Sequence, residues 1–171
     1  MTGVEAAQEG YRPCVGIALF NREGKVFIGQ RIGFSGDEGW QMPQGGIDEG
    51  EAPLAAALRE LREETSVASV TLLGEVAEWL AYDLPADALG SSWNGRWRGQ
   101  TQKWFAFRLT GDEAEIDIAS PAGGHKAEFG AWRWAELAEV PALIVPFKRG
   151  VYQTLVKQFA GFSKRAYCHA T

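Results

Sequence analysis

The sequence predicts an α/β (α+β) fold, one mixed β-sheet covered by helices on both faces. Three observations carry that expectation. Short apolar, partly β-branched runs recur along the chain, as in CVGIALF (14–20), KVFIGQR (25–31) and QKWFAFRLT (102–110). Two longer stretches have helical spacing instead: Leu54, Leu58 and Leu61 in the first, and Phe147, Val151, Leu155 and Phe159 in the second. Finally, 171 residues with 46% hydrophobic side chains suffice for one domain with a sizeable core, burying roughly 70% of the unfolded surface.

In chain order, NREG (21–24) reads as the turn joining the first two strands, and GFSGDEG (33–39) as a loop. WQM follows, then the punctuation PQGG at 43–46. Residues 52–65 form a helix, with Pro53 suited to its first turn and its acids off the leucine stripe. VTLLGEVAEWLAYDL (70–84) reads as one or two strands, and PADALGSSWNGRWRG (85–99) as a loop. After strand 102–110 come a turn at GDEA, a short strand at EIDI, a loop at SPAGGH and a strand at EFGAWRW (128–134). An amphipathic helix spans Val145 to Phe159. The expected organisation is one domain over 1–171, with its core at about 11–160 and short flexible ends.

Composition narrows the function classes. The net charge of −5 makes the surface no broad attractor of nucleic acid, and a DNA duplex is not an expected partner. A polyanionic substrate would need local basic patches or bound metal. No apolar run reaches 18 residues, and MTGVEAAQEG lacks the basic start and apolar centre of a signal peptide. A cytoplasmic protein without membrane association is expected, with Cys14 and Cys168 as free thiols and a monomer favoured over an obligate oligomer.

The chemistry concentrates in GGIDEGEAPLAAALRELREETSV (45–67). Glu60, Glu63 and Glu64 stand at i, i+3 and i+4, so a helix would place them on one face. Such crowding needs compensation. Arg59 and Arg62 are adjacent, and hard divalent cations take oxygen ligands from one or two carboxylates plus substrate phosphates. Glycines before the helix would let a substrate approach the backbone closely.

The spacing G45-x5-E51-x7-R59-E60-L61-x-E63-E64-x-S66-V67 resembles the Nudix box, G-x5-E-x7-R-E-U-x-E-E-x-G-U, where U is a bulky aliphatic. Eight of nine specified positions match, and Ser66 stands where the last glycine would be. A serine at a left-handed helix end costs roughly 1 kcal/mol, so Ser66→Gly is expected to stabilise. The resemblance implies an α/β/α sandwich with a loop–helix–loop box. It also implies hydrolysis of nucleoside diphosphates linked to another moiety, with Mg²⁺ or Mn²⁺ held by Glu60, Glu63 and Glu64 and with Glu51 pairing Arg59. Gly45 would contribute to the metal site, and Gln44, Gly45 and Gly46 to substrate binding.

YRPCVGI (11–17), WQMPQGGIDEGE (40–51), QKWFAF (102–107), EFGAWRW (128–134) and PFKR (146–149) resemble a subgroup of RNA pyrophosphohydrolases and asymmetrical diadenosine tetraphosphate hydrolases. That likeness implies a further metal ligand at Glu128 and a nucleobase flanked by Arg12 and Phe147. It leaves open whether triphosphorylated RNA or a dinucleoside tetraphosphate is the substrate, and whether Glu60 or Glu128 accepts the proton of water. ADP-ribose, NADH or free nucleotides, or nucleotide binding without hydrolysis, are the alternatives. In GSSWNGRWRGQTQKWFAFRLT (90–110), cations interleave with Trp93, Trp97 and Trp104. Arg96, Arg98, Lys103 and Lys148 are therefore candidate phosphate contacts. His125 and His169 have no partners at metal or triad spacing and receive no role.

Overall fold

A computed structural model describes residues 9–87, 89 and 95–165. Trp93, Cys168 and His169 lie outside the described residues. Eight strands form one mixed sheet: β1 (Tyr11–Phe20), β2 (Val26–Arg31), β3 (Trp40–Gln41), β4 (Gln44–Gly46), β5 (Val70–Glu75), β6 (Leu80–Asp83), β7 (Gly99–Leu109) and β8 (Phe129–Ala135). The helices are α1 (Pro53–Thr65), the one-turn α2 (Val140–Leu143) and α3 (Arg149–Phe159).

The central pair, β1 and β7, is parallel, in register from Tyr11 opposite Gly99 to Phe20 opposite Arg108. Every other pairing is antiparallel. Both central strands are nearly continuous in burial because both faces are covered. Period-two alternation sorts their side chains. Val15, Ile17, Leu19, Phe105 and Phe107 pack with Ala57 and Leu61 of α1. Ala18, Phe20, Trp104 and Ala106 pack with Val151, Leu155 and Phe159 of α3. No helix among the described residues is long and apolar enough to cross a membrane.

Four local expectations change. Leu54 and Leu58 are 37% and 40% exposed, whereas Ala56, Ala57, Leu61, Glu64 and Thr65 are buried. The buried face of α1 is thus rotated from the leucine stripe and includes an acid, because small alanines let the helix settle closely on the sheet. EIDI does not form a strand. A 3-10 turn covers Glu113–Glu115, with Ala114 N–H donating to the Asp112 carboxylate at its start. The final helix starts later than its apolar spacing implies: Pro146–Lys148 form a 3-10 turn, so Phe147 leaves the stripe and is 37% exposed. Residues 44–46 are strand β4 rather than loop, pairing Gln44, Gly45 and Gly46 with Gly16, Val15 and Cys14.

Helix α1 ends as the box pattern implies, in a left-handed residue, Ser66, with φ 70° and its N–H donating to Arg62 C=O. The serine does more than occupy that corner. Its hydroxyl donates to Asp117 C=O at 2.8 Å and accepts from Ala122 N–H at 3.0 Å. It therefore ties down the loop that leads to Glu128.

Candidate functional site

Strand β4 and helix α1 are joined by a loop that Arg59 locks. Its Nε and Nη2 donate to the two carboxylate oxygens of Glu51, both at 2.8 Å, and Nη2 also reaches Gly46 C=O at 2.9 Å. Nη1 donates to Glu60 at 2.9 Å and Glu63 at 3.2 Å. One guanidinium thus hydrogen-bonds three carboxylates and a backbone carbonyl, with Asp48 a fourth acid 3.6 Å away, a geometry suited to its rigid planar fork of donors. The Arg59 hydrogen bonds hold Glu51 below the usual carboxylate range.

The rest of the acid cluster is placed differently. Glu64, 3% exposed, accepts from Gln44 N–H at 3.3 Å and has the Glu128 carboxyl for a neighbour. Burial, reinforced by Glu128, raises its pKa well above normal. Glu60 is pushed up to about 7 by burial, partly offset by Arg59. Gly45 lies directly beneath Glu60, and a Cβ there would overlap that carboxylate. A Cβ on Gly46 would lie 2.6 Å from Arg12 Nη2. Neither glycine has a positive φ, and a side chain at either would displace the Glu60 carboxylate or the Arg12 guanidinium.

Glu60, Glu64 and Glu128 line a cleft of about 550 Å³, together with Gln44, Gly45 and Gly46. Arg12, Phe147 and Lys148 enter from other parts of the chain. Lys148 is 9% exposed; burial, with Arg31 nearby, lowers its pKa to about 8, and its Nζ sits 5.3 Å from the Tyr82 ring centre. Phe147 meets Tyr82 with ring centroids 5.6 Å apart. A second hollow of about 520 Å³ adjoins the first through Arg31, Gln41, Phe147 and Lys148.

Other expected contacts lie elsewhere. Lys103 Nζ donates to Val76 C=O at 2.6 Å and Ala77 C=O at 3.0 Å, so it is capped by backbone. Arg98 is exposed, with its guanidinium over the Tyr11 ring, and Arg96 stacks on Trp97. Trp104 is fully buried core. His125, to which no role was assigned, has its Nε2 3.6 Å from Glu63. Sequence reasoning missed Arg31, Gln41, Tyr82 and Gln100 as cleft residues. Only pairing reveals Gln100, which stands opposite Arg12 in the β1–β7 register.

The donor set suits a hard divalent cation. Two neighbouring carboxyls, one of them deeply buried, are costly side by side, and a cation taking oxygen ligands would neutralise them. Among the described residues, no three acidic, His or Cys side chains already converge as an ion requires. Glu63 in particular is turned toward Arg59 and His125, and a change of rotamer would be needed to bring it in.

A NUDIX domain profile matches residues 10–155. The chain is 59% identical over 160 residues to an RNA pyrophosphohydrolase of Rhodopseudomonas palustris (strain BisB18), covering 91% of each chain. It is also 59% identical over 160 residues to an RNA pyrophosphohydrolase of Azorhizobium caulinodans, covering 90% of this chain and 94% of the relative. Among solved structures, the E. coli dihydroneopterin triphosphate pyrophosphohydrolase superposes with a TM-score of 0.64 at 20% identity, over 88% of this chain and 99% of the other. A C. elegans Ap4A hydrolase does so with a TM-score of 0.61 at 18% identity, over 88% and 98%. At such identities the structural likeness speaks for the fold, and the family rests on the profile and the close relatives. The chain belongs to the NUDIX family of pyrophosphohydrolases.

Proposed function

We propose that this protein is a divalent-metal-dependent RNA pyrophosphohydrolase that removes pyrophosphate from 5′-triphosphorylated RNA, with dinucleoside tetraphosphates as further substrates of the same cleft. One observation carries the reading. Glu60, Glu64 and Glu128 open into a cleft lined by three cations, Arg12, Arg31 and Lys148, and a half-exposed ring, in a chain 59% identical to proteins named for that activity. Magnesium or manganese is the proposed cofactor. Glu60, Glu63, Glu64 and Glu128 would hold it, and once bound it would screen the phosphate charge and activate a water.

The chain's own groups do the rest. Arg12 and Lys148 attract the polyphosphate, and Arg12 and Phe147 flank a base, where stacking contributes about 1–3 kcal/mol. Gly45 and Gly46 leave room for the Glu60 carboxylate and the Arg12 guanidinium to lie against the cleft backbone. Arg59 keeps helix and loop in fixed relation through Glu51 and Gly46. A carboxylate in the cleft, Glu60 or Glu128, accepts the proton of the attacking water.

The test compares triphosphorylated RNA, diadenosine tetraphosphate and ADP-ribose at equal Mg²⁺, with and without chelator. The expected result is Mg²⁺-dependent release of pyrophosphate from the RNA. Turnover of ADP-ribose alone, or nucleotide binding with no turnover of any of the three, would contradict the proposal.

A further inference from the structure

Behind the cleft floor, the buried side chains of Trp104 and Gln102 run as a hydrogen-bonded chain to Gln44 and Gln100. Trp104 Nε1 donates to Gln102 Oε1 at 2.9 Å. Gln102 Nε2 donates at 2.8 Å to Gln44 Oε1 and at 2.8 Å to Gln100 Oε1. We infer that Trp104 and Gln102 are positioning residues that turn the amide nitrogens of Gln44 and Gln100 toward the cleft as paired donors for phosphate oxygens. The inference rests on the proposed polyphosphate substrate.

The direction of the chain is set at its buried end. An indole N–H can only donate, so Gln102 must present its carbonyl to Trp104 and its NH₂ away from it. Both hydrogens of that NH₂ are then used, and Gln44 and Gln100 must answer with their carbonyls. The indole itself cannot turn. It lies over Gly16, where a Cβ would overlap the ring, and stands edge-on to Tyr152 at 5.6 Å. Trp104 and Gln102 are 0% and 1% exposed.

What remains of Gln44 and Gln100 is donor only. Neither Nε2 has a protein partner among the described residues, and no fully buried side-chain nitrogen or oxygen there lacks one, so neither group is fully buried. Both residues line the carboxylate cleft. The orientation decides a sign. Rotated by half a turn, each amide would offer a carbonyl oxygen and repel a phosphate, so the relay separates attraction from repulsion without adding charge.

The test uses the whole protein labelled with ¹⁵N-glutamine, titrated with inorganic tripolyphosphate and Mg²⁺ and followed by NMR. The side-chain NH₂ signals of Gln44 and Gln100 are expected to shift together and saturate, while those of Gln102 stay protected from solvent exchange. In Trp104→Phe, Gln102 protection is expected to fall and tripolyphosphate to bind about tenfold more weakly, as for loss of one hydrogen bond to a charged group. Gln102→Met should weaken binding likewise, and serves if Trp104→Phe does not fold. Unmoved Gln44 and Gln100 signals in the wild type, or wild-type affinity in a folded variant, would overturn the inference. If the amides respond but triphosphorylated RNA is not hydrolysed, the proposed activity falls and the relay stands.

Discussion

Helices α1 and α3 cover opposite faces of one sheet, and only α1 buries an acid there. Helix α3 presents Val151, Tyr152, Leu155 and Phe159, an apolar face that stabilises by burial. Helix α1 presents Ala56, Ala57, Leu61 and the carboxyl of Glu64, while Leu54 and Leu58 stay in water. An acid at 3% exposure costs stability unless it is neutralised or paired. The contrast teaches that α3 is shaped by packing and α1 by the cleft it must line.

Substitutions can break that contrast. The largest effect expected is on turnover. Glu64→Gln should lower kcat on triphosphorylated RNA by about a thousandfold or more, because a proposed metal ligand is lost. Its thermal midpoint should not fall, since a neutral amide replaces a buried acid. Glu63→Gln should likewise lose activity and keep its fold. In α3 the pattern reverses. Leu155→Ala should cost about 2–5 kcal/mol in denaturant unfolding, with kcat of the folded fraction retained. A mutant of α1 that unfolds, or one of α3 that folds but is inactive, would undo the distinction.

The pH profile sharpens it further. Lys148 has its pKa lowered to about 8 by burial, so the free enzyme loses this positive charge as pH rises through that value. For an anionic substrate, kcat/KM should then decline on the alkaline side above about pH 8. Lys148→Arg should remove that limb by staying charged, and an unchanged limb in the variant would exclude Lys148 as its cause.

The smallest effect concerns Ser66. Glycine there would relieve roughly 1 kcal/mol of left-handed strain. It would also remove two hydrogen bonds worth about 1 kcal/mol each. The balance favours serine, so Ser66→Gly should lower Tm by up to about 4 °C. This reverses the expectation from the box pattern alone, which saw the backbone but not the loop that the hydroxyl holds. A rise in Tm would show that the two hydrogen bonds contribute little.

The parts legible from sequence were those set by local spacing. Glu60, Glu63 and Glu64 are fixed relative to one another by helical geometry, and Glu51 reaches Arg59 across a short loop. The central strands declared themselves by apolar, β-branched composition. Convergence between distant segments was harder to read. Gln100 and Tyr82 reach the cleft through the pairings of β7 with β1 and β6, which no local pattern encodes. Lys103 looked like a phosphate contact until backbone carbonyls were seen to cap it. The leucines of α1 misled because spacing reveals an apolar stripe but not which stripe the sheet accepts. At EIDI, Asp117 N–H donates to Thr65 C=O and its carboxylate accepts from Ala119 and Ser120 N–H, so the segment is held by loop contacts instead of strand pairing.

The central claim is that α1 buries its acid to receive a divalent cation. Titration of Mn²⁺ followed by electron paramagnetic resonance, in wild type and Glu64→Gln, tests it most directly. Saturable binding to the wild type that is lost or weakened at least about tenfold in the variant is the predicted result. Equal Mn²⁺ binding by both proteins would contradict it.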